Sequence, residues 1–513
     1  MKSSSMLLVL GVLGFVAAVL WPATNFLSVN FQQLSVGAYG RPLELLYLSL
    51  GAVAAGIGAA AIVGRFRSEW GLRLLTLFSA GVFLLFISAT TRTVLRATGV
   101  VPAPTLSTIL LISGALVALW FLSRLEAVRV LVSSASIFAF LVPASSLSIA
   151  LAAAFFSGQG GIVAGQPANG KAMSGENVYY VVLDEYAGRS SLGRLGFDNA
   201  AFIVGMQALG FSEVPETRSN YMATYISLSA ILDANYPVTE ESPRYADRSA
   251  FYPAAMNAGI APFAVRSFSA SGYRNLRIGN WWAGCQETVF DACFEPSASN
   301  RNYALDTFLQ PTILPRFISR IRQWIPADSD RPDGALEILG EVLDQIQAYR
   351  PYFLFVHHMA PHAPFSRHAD CSPREALDTD ETLPNEVRQA LYLAATECVN
   401  HQVMETAKAI VARDPSAIIV VQSDHGSDFQ VDWTVAPGDW TPEAIDERTD
   451  ILNLVRLPAD CQVWQRSGIG QINTMRLVLA CLYRDPPEYL PEQSFVTVYE
   501  PNAAFGTAVR VLP

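Results

Sequence analysis

The sequence predicts two structural classes in one chain: an α-helical membrane domain of about five transmembrane helices, followed by an α/β domain with a mainly parallel sheet. Three observations support this. Apolar residues are concentrated in the first 160 residues, apolar strand-like runs alternate with helical segments after residue 176, and all six His and all six Cys lie after residue 280. We therefore divide the chain into a transmembrane domain at 1–156, a linker at 157–176 and a second domain at 177–513.

Five apolar runs in the first part are long enough to cross a bilayer. They lie near residues 6–26, 44–64, 72–91, 105–123 and 130–156. The first run follows Lys2 as a signal peptide would, but it lacks a clear small-x-small cleavage site and four more runs follow it. No run holds an Asp or Glu in mid-span, so we expect a membrane anchor. A channel or transporter for a lipid substrate is the alternative.

The basic residues of the short loops predict the orientation of these helices. With the N-terminus inside, six basic residues lie in inner loops and three in outer loops, as the positive-inside rule requires. The inner set is Lys2, Arg65, Arg67, Arg73, Arg124 and Arg129, and the outer set is Arg41, Arg92 and Arg96. We thus expect a multi-pass protein of the cell inner or plasma membrane, with a cytoplasmic N-terminus and an extracytoplasmic second domain.

The charge of the two parts differs in sign. The first 160 residues carry nine basic and three acidic side chains, whereas the rest carries 26 basic and 42 acidic ones. An acidic second part argues against nucleic acid as a partner. Residues 157–176 are rich in small and polar residues, which is typical of a flexible linker.

The six cysteines agree with an oxidising compartment. We expect three pairs between neighbours, although six cysteines allow fifteen pairings and free buried thiols are the alternative. The expected pairs are Cys285 with Cys293, Cys371 with Cys398, and Cys461 with Cys481.

Three apolar runs after residue 176 are predicted to be buried strands. They lie at 177–183, 352–356 and 417–422. Helical segments are predicted at 199–210, 224–233, 334–349, 384–413 and 471–483. Alternation of strands and helices indicates a mainly parallel sheet with helices on both faces.

Each predicted strand ends in residues that can bind a metal or a substrate. Asp184 follows the first strand, His357 lies at the end of the second, and Asp424 and His425 follow the third. The carboxyl ends of parallel strands meet at one edge of the sheet, where open α/β proteins bind their ligands. Asp and His supply metal ligands, and Gly426 allows close approach of the backbone.

A nucleophile is predicted from the segment around Thr224. This residue stands just before an apolar periodic segment, so an ordinary helix N-cap is one interpretation. The same position is also suited to chemistry, because the free N–H groups and positive dipole end of a helix attract a phosphate or sulfate.

These motifs together resemble the alkaline phosphatase superfamily. In chain order they read Leu-Asp-Glu at 183–185, Asn-Tyr-x-x-Thr at 220–224, Pro-His-x-Pro at 361–364 and Ser-Asp-His-Gly at 423–426. The most similar branch is the membrane-anchored sulfatase-like group, which includes lipoteichoic acid synthase and lipid A phosphoethanolamine transferases. Its members also have about five N-terminal spans and an extracytoplasmic catalytic domain. The resemblance covers the whole layout and is most specific over 177–460.

The resemblance implies a metal centre. Asp184, Thr224, Asp424 and His425 would hold one divalent ion, Mn²⁺, Zn²⁺ or Mg²⁺. Thr224 would also be the nucleophile. Glu185 occupies the position of a second acidic ligand in two-metal relatives, so two ions are the alternative.

Substrate-binding candidates lie beside this centre. The resemblance implies that His362 contacts the head group of the substrate. Arg274 and Trp282 are predicted to hold an anionic group and to wall the pocket, although a surface arginine and a buried aromatic residue are the alternative. His357 is a further candidate, while Arg448 is assigned no chemistry.

The predicted enzyme is a metal-dependent transferase or hydrolase that acts on phospho-esters of a lipid, lipid-linked or envelope glycan substrate. Sulfatases that use formylglycine make it in Cys/Ser-x-Pro-x-Arg. The nearest string, at 371–374, has its Arg one place early and lies far from Thr224, so a phosphoryl-type reaction is favoured. Sulfate-ester hydrolysis on the same fold and a degenerate binding or sensory domain are the alternatives. The sequence does not predict the oligomeric state.

Overall fold

The computed structural model of the protein describes most of the chain. The described residues are 2–29, 43–65, 68–97, 104–156, 172–239, 251–252, 254–257, 259–280, 283, 289–294, 308–309, 311–312, 314, 334–374, 383–432, 435–497 and 508–512. Trp282, Cys285 and most of the predicted linker lie outside them. The chain forms two compact units, one containing the N-terminal helices and one containing the sheet.

The first unit is helical, as predicted. Its helices are α1 (Lys2–Val29), α2 (Leu43–Gly64), α3 (Ser68–Phe86), α4 (Ser88–Ala97), α5 (Pro104–Leu122) and α6 (Glu126–Phe156). Five of these described helices, all except α4, are long and apolar enough to cross a membrane. The run predicted at 72–91 is divided between α3, which ends at Phe86, and the start of the more polar α4.

The helical unit also includes a later piece of the chain, which the sequence interpretation placed in the second domain. The described residues of this piece, 308–309, 311–312 and 314, group with the helices. The ring of Phe308 packs 5.0 Å from that of Phe86 and 6.0 Å from that of Phe26. The Ala89 N–H donates to the carbonyl of Pro311 at 3.1 Å. Apolar packing of Phe308 against α1 and α3 therefore explains why this piece groups with the helices.

The second unit is built on a seven-stranded sheet with the order β2-β7-β6-β1-β5-β3-β4. Its strands are β1 (Val178–Leu183), β2 (Ser212–Glu213), β3 (Arg274–Ile278), β4 (Ala292–Phe294), β5 (Tyr352–His358), β6 (Ile418–Ser423) and β7 (Asn453–Arg456). The five strands from β6 to β4 run parallel. At one edge β7 pairs antiparallel with β6, and β2 pairs antiparallel with β7. A separate two-stranded sheet pairs β8 (Ser494–Thr497) with β9 (Ala508–Leu512).

Helices alternate with these strands. They are α7 (Arg189–Arg194), α8 (Ala200–Ala208), α9 (Thr224–Asp233), α10 (Ala254–Asn257), α11 (Phe263–Ala270), α12 (Ala335–Ile346), α13 (Asn385–Arg413), α14 (Pro442–Thr449), α15 (Ala459–Gln462) and α16 (Gln471–Tyr483). The predicted class, membrane helices followed by an α/β domain with a mainly parallel sheet, is confirmed.

The core lies on both faces of the sheet. Tyr179 and Val181 of β1 contribute to one buried apolar cluster, whereas Val178 and Tyr180 contribute to the cluster on the opposite face. Successive side chains of a strand point to opposite faces, so a central strand covered by helices on both sides must be apolar at every position. This explains why β1 and its neighbours read as continuous apolar runs.

Two of the three predicted disulfides lie in the described residues and are confirmed. Cys371 is bonded to Cys398, and Cys461 to Cys481. Cys293 is also disulfide-bonded, and its expected partner lies outside the described residues.

Removing one of these bridges tests their contribution to the fold. Cys461→Ala with Cys481→Ala should lower the free energy of unfolding by about 2–4 kcal/mol, because the cross-link that constrains the unfolded chain is lost. Thermal unfolding of the full chain in detergent measures this. Reductant should lower the transition temperature of the wild type and have a smaller effect on the double variant. Equal stability of the two proteins would contradict a structural role for this bridge.

Candidate active site and metal centre

The site is created by the register of three neighbouring strands. Leu183, the last residue of β1, pairs with His358 of β5 on one side and with Ser423 of β6 on the other. The Asp184 N–H continues the first ladder by donating to the His358 carbonyl at 2.9 Å. Asp184 and Asp424 therefore leave adjacent strands at the same level and face each other.

Three ligand-type side chains meet at this edge. A carboxylate oxygen of Asp184, one of Asp424 and a ring nitrogen of His425 all lie within 4.8 Å of one another. The three residues are at most 1% exposed. His425 Nε2 lies 3.3 Å from Asp424 Oδ2 and 3.8 Å from Asp184 Oδ1. The structure thus brings together three of the four predicted ligands in a buried cluster.

The unused atoms of this cluster fit a divalent cation. Asp184 Oδ1 and Asp424 Oδ2 are buried and accept no hydrogen bond. His425 Nδ1 lies 3.2 Å from the Gly426 carbonyl, which can only accept, so Nδ1 carries the proton and the lone pair of Nε2 faces the two oxygens. Two carboxylate oxygens and a neutral imidazole nitrogen suit Mn²⁺, Zn²⁺ or Mg²⁺.

The electrostatics of the cluster lead to the same conclusion. Burial and the neighbouring Asp184 carboxylate raise the pKa of Asp424 well above its usual value. Burial opposes ionisation of Asp184 too, but His362 and His357 outweigh it and lower its pKa. Burial and Arg448 hold the pKa of His425 well below its usual value, so this imidazole is neutral. A cation between the carboxylates would allow both to be ionised.

His357 contacts the Asp184 carboxylate and orients it. It is fully buried, and its Nδ1 lies 2.9 Å from Asn280 Nδ2. Because that amide donates, Nδ1 must accept and Nε2 carries the proton. Nε2 lies 3.3 Å from Asp184 Oδ2, so His357 orients this oxygen and leaves Oδ1 facing the cluster. Because His357 is fully buried, the structure shows it in contact with Asp184 and does not expose it to a substrate.

Thr224 is the accessible member of the site. It is the first residue of α9, and the N-cap is Ala223. Its side chain is half-buried, and Oγ1 lies 3.1 Å from His425 Nε2 and 3.5 Å from Asp184 Oδ2. The hydroxyl is therefore directed at the candidate ligands and does not cap the helix. Its position at the start of α9 also puts it at the positive end of the helix dipole, which favours a negatively charged group.

Side chains further along the sequence hold the β6 end in place. The Gln471 side-chain amide donates to the carbonyls of Ser423 (3.0 Å) and Asp424, and its oxygen accepts the Asn220 N–H at 2.8 Å. Gln471 thus ties the strand that carries Asp424 to the segment that leads to Thr224. The sequence interpretation missed this link, since a glutamine at a helix start carries no distinctive signal.

Glu185 has another partner. Its Oε1 accepts a hydrogen bond from Arg448 Nη1 at 2.7 Å, and its Oε2 lies 3.9 Å from His362 Nε2. Burial raises the pKa of Glu185 to about 7, partly offset by His362 and Arg448. Arg448, to which the sequence interpretation assigned no chemistry, is therefore a buried part of this site. His362 is 30% exposed, a position open to an incoming group.

The structure does not bring Arg274 to the site. Arg274 is the first residue of β3 and pairs with Tyr352, the first residue of β5, so it lies at the opposite edge of the sheet from Asp184. Its guanidinium is exposed and forms an ion pair with Asp291 at 2.8 Å. The assignment of Arg274 to the pocket is therefore wrong, because a residue at a strand's amino end cannot reach the carboxyl edge. Trp282 lies outside the described residues.

Three solved structures are similar to the chain at low sequence identity. The C-terminal periplasmic domain of EptC from Escherichia coli is 12% identical, with 67% of this chain and 96% of that chain covered and a TM-score of 0.43. Lipooligosaccharide phosphoethanolamine transferase A from Neisseria meningitidis, an integral membrane protein, is 14% identical, with 91% and 95% covered and a TM-score of 0.40. The C-terminal periplasmic domain of phosphoethanolamine transferase EptC from Campylobacter jejuni is 13% identical, with 63% and 98% covered and a TM-score of 0.41. No curated protein matches the chain.

The class of protein follows from the second unit and from a family match. Residues 265–449 match the sequence model of the Sulfatase family, so the chain carries a sulfatase-family domain. This range includes His357, His362, Asp424 and His425. The predicted resemblance to the alkaline phosphatase superfamily is confirmed, as is the prediction of an enzyme that transfers phosphoryl or sulfuryl groups. Together with its five apolar helices, this makes the chain a membrane protein with a sulfatase-like enzyme domain.

Gly426 provides a test of the geometry at the β6 end. A Cβ here would lie within 2.8 Å of the Asp450 carbonyl oxygen and closer still to that of Glu447. Gly426→Ala should therefore displace His425, reduce activity by at least tenfold and lower the free energy of unfolding by about 1–3 kcal/mol. Gly193→Ala is the matched control, because its Cβ meets nothing within 4 Å. Equal activity and melting temperature in the two variants would contradict the tight packing described here.

Proposed function

We propose that the protein is a metal-dependent phosphoryl-type transferase or hydrolase that acts on phospho-esters through Thr224. The observation that carries this proposal is the position of the Thr224 hydroxyl. Thr224 is half-buried and begins a helix. Its Oγ1 lies 3.1 Å from His425 Nε2, beside two buried carboxylates. Thr224 follows the N-cap Ala223, so its hydroxyl is not used for capping and faces the candidate metal ligands.

Asp184, Asp424, His425 and Thr224 would hold the ion in this proposal. A bound divalent ion lowers the pKa of a neighbouring hydroxyl and stabilises charge that develops on the transferred group. The Thr224 oxygen then forms a bond to phosphorus as the bond to the leaving oxygen breaks. The hydroxyl proton passes to solvent, and the leaving alcohol takes up a proton. An acceptor hydroxyl or water releases the group from phosphothreonine by a second attack.

The chain's own groups orient the phospho-ester. The N–H groups at the start of α9 face the negative oxygens of the ester. His362, which is 30% exposed and lies 3.9 Å from Glu185, is placed to contact the head group. The buried contact of His357 Nε2 with Asp184 Oδ2 at 3.3 Å orients Asp184, so little rearrangement is needed when the group is transferred.

The substrate class follows from the membrane helices. An enzyme domain joined to five apolar helices works near lipid head groups, so we infer a phospholipid, lipid-linked donor or envelope glycan as substrate. The loop charges support an orientation with the N-terminus in the cytoplasm and the enzyme domain outside it. The disulfides Cys371–Cys398 and Cys461–Cys481 favour the same side, because such bonds persist in oxidising compartments.

Sulfate-ester hydrolysis is the second candidate. The family match favours it, because residues 265–449 match the Sulfatase family. The residue that meets the candidate ligands is nevertheless Thr224, which cannot form the hydrated aldehyde of a formylglycine enzyme. The string at 371–374 that is nearest to the formylglycine motif includes Cys371, which is bonded to Cys398.

The metal site is tested by two substitutions of one residue. Asp424 Oδ1 accepts the N–H groups of Glu185 and His425, both at 2.9 Å, while Oδ2 faces the cluster. Asp424→Asn keeps an oxygen for these N–H groups and removes the charge, so the fold should persist. Its Mn²⁺ affinity should fall by more than about 100-fold, beyond the range for groups that only orient a ligand. Asp424→Ala should lose the metal and stability as well. Wild-type Mn²⁺ binding by the Asn variant, measured by titration calorimetry, would contradict a metal site here.

The nucleophile is tested by intact mass. The full chain with Mn²⁺ and a panel of phospho- and sulfo-esters should gain a phosphate-sized or head-group-phosphate adduct. Thr224→Ala should lose the adduct and at least about 100-fold in turnover, as expected when a covalent step is removed. Thr224→Ser keeps a hydroxyl and should keep the adduct. Sulfate release without an adduct, and at the same rate in Thr224→Ala, would instead support the sulfatase reaction.

A further inference from the structure

The starting observation is a buried ion pair beside the candidate ligands. Glu185 and Arg448 have side chains that are 10% and 7% exposed, and Arg448 Nη1 lies 2.7 Å from Glu185 Oε1. Glu185 directly follows the candidate ligand Asp184, so its carboxylate is the obvious source of a ligand for a second ion. The contacts of both residues decide whether it is available.

The backbone of Glu185 fixes the direction of its side chain. Its φ is 65°, in the left-handed region that non-glycine residues rarely adopt. Its N–H donates to Asp424 Oδ1 at 2.9 Å, and its carbonyl accepts the Tyr392 hydroxyl at 2.9 Å. Because both sides of the residue are held, the strained conformation persists and the carboxylate is held towards Arg448.

The guanidinium of Arg448 is equally constrained. Besides Glu185, its Nη1 donates to the Gly426 carbonyl at 2.7 Å. Its Nε and Nη2 donate to the Met222 carbonyl at 3.3 and 3.2 Å. Arg448 thus connects the loop after β6 with the segment before Thr224. Removing its acidic partner would leave a buried cation without a counter-charge.

The charge balance identifies how many ions the site can hold. When all three carboxylates are ionised, Asp184, Asp424 and Glu185 contribute three negative charges and Arg448 one positive charge, while His425 offers the lone pair of Nε2 as an uncharged ligand. The remainder is two negative charges, which one divalent ion balances. A second divalent ion would leave the buried cluster with an excess of two positive charges and would have to compete with Arg448 for Glu185.

Other acidic side chains near the cluster are already engaged. Asp428 forms an ion pair with Arg388 at 2.6 Å. Glu447 accepts hydrogen bonds from the Ser427 hydroxyl at 2.6 Å and from two backbone N–H groups, those of residues 429 and 430. Among the described residues, the group with metal-ligand geometry includes neither of these residues nor Glu185.

We propose that Arg448 is a positioning residue that withdraws Glu185 from the ligand set, so that the fixed guanidinium takes the place of a second metal ion and the site binds one divalent cation. The proposal rests on the metal-dependent function proposed above. It assigns Glu185 a structural part, since its backbone holds Asp424 while its side chain anchors Arg448. The guanidinium, with Nη2 3.5 Å from His425 Nε2, supplies a permanent positive charge beside Thr224.

The test measures the number of Mn²⁺ ions bound per full-length chain in detergent, by elemental mass spectrometry and by titration calorimetry. The variants are Glu185→Gln, Arg448→Gln and the double variant. Wild type should bind one equivalent, and Glu185→Gln should still bind one, with affinity reduced less than tenfold. Asp424→Asn is the reference for loss of a true ligand. Two equivalents in the wild type, or none in Glu185→Gln, would overturn the proposal.

Arg448→Gln tests the positioning role directly. Freed from its partner, Glu185 should bind a second, weaker Mn²⁺ equivalent, and the double variant should return to one. A purely structural role for Arg448 would lower the melting temperature without changing this number, so one equivalent in a folded Arg448→Gln protein would overturn the proposal. If Arg448→Gln does not fold, the double variant decides, because it removes both charges of the pair. One equivalent in the double variant supports the proposal and none overturns it.

These outcomes are distinct from failure of the proposed function. A wild-type chain that binds no Mn²⁺, with Asp424→Asn unchanged from it, would remove the metal-dependent function and this inference together. A wild type that binds two ions and forms the Thr224 adduct would leave the function intact and overturn only the inference.

Discussion

Two buried carboxylates that face each other without a hydrogen-bond donor between them are the constraint around which the site is organised. Asp184 and Asp424 are held at the ends of adjacent parallel strands, so they cannot separate without breaking the sheet. Their facing oxygens have no partner, and their repulsion is not relieved by solvent. A divalent cation would relieve it, and a ring nitrogen of His425 and the Thr224 hydroxyl lie beside the same oxygens.

The surrounding residues keep this arrangement in place before any ligand binds. Asn280 fixes the tautomer of His357, and His357 fixes Asp184. Gln471 connects the β6 end to the segment before Thr224. Asp184 is therefore oriented by His357 and Asp424 by Gln471, and each of these two side chains is itself held by a further hydrogen bond, which favours a site that stabilises developing charge without reorganising.

Arg448, which is held by its ion pair with Glu185, places a permanent positive charge beside the candidate metal ligands. In a reaction on a phospho-ester, negative charge develops between the nucleophile and the leaving group. A guanidinium fixed by two backbone carbonyls cannot be lost by dilution or chelation, whereas an ion can.

The sequence by itself determined the class of the fold and most of the candidate site. Apolar runs predicted the five long helices and the central strands, because burial on both faces of a sheet requires apolar residues at every position. Polar residues at the strand ends predicted Asp184, Asp424 and His425, since parallel strands end at one edge. Only the tertiary structure decided which other residues reach that edge. Arg274 was excluded by its place at the start of β3, and Arg448 was included by contacts with residues more than 200 positions away. Such long-range contacts leave no local pattern in the sequence, because they depend on how helices and loops pack after the strands have paired.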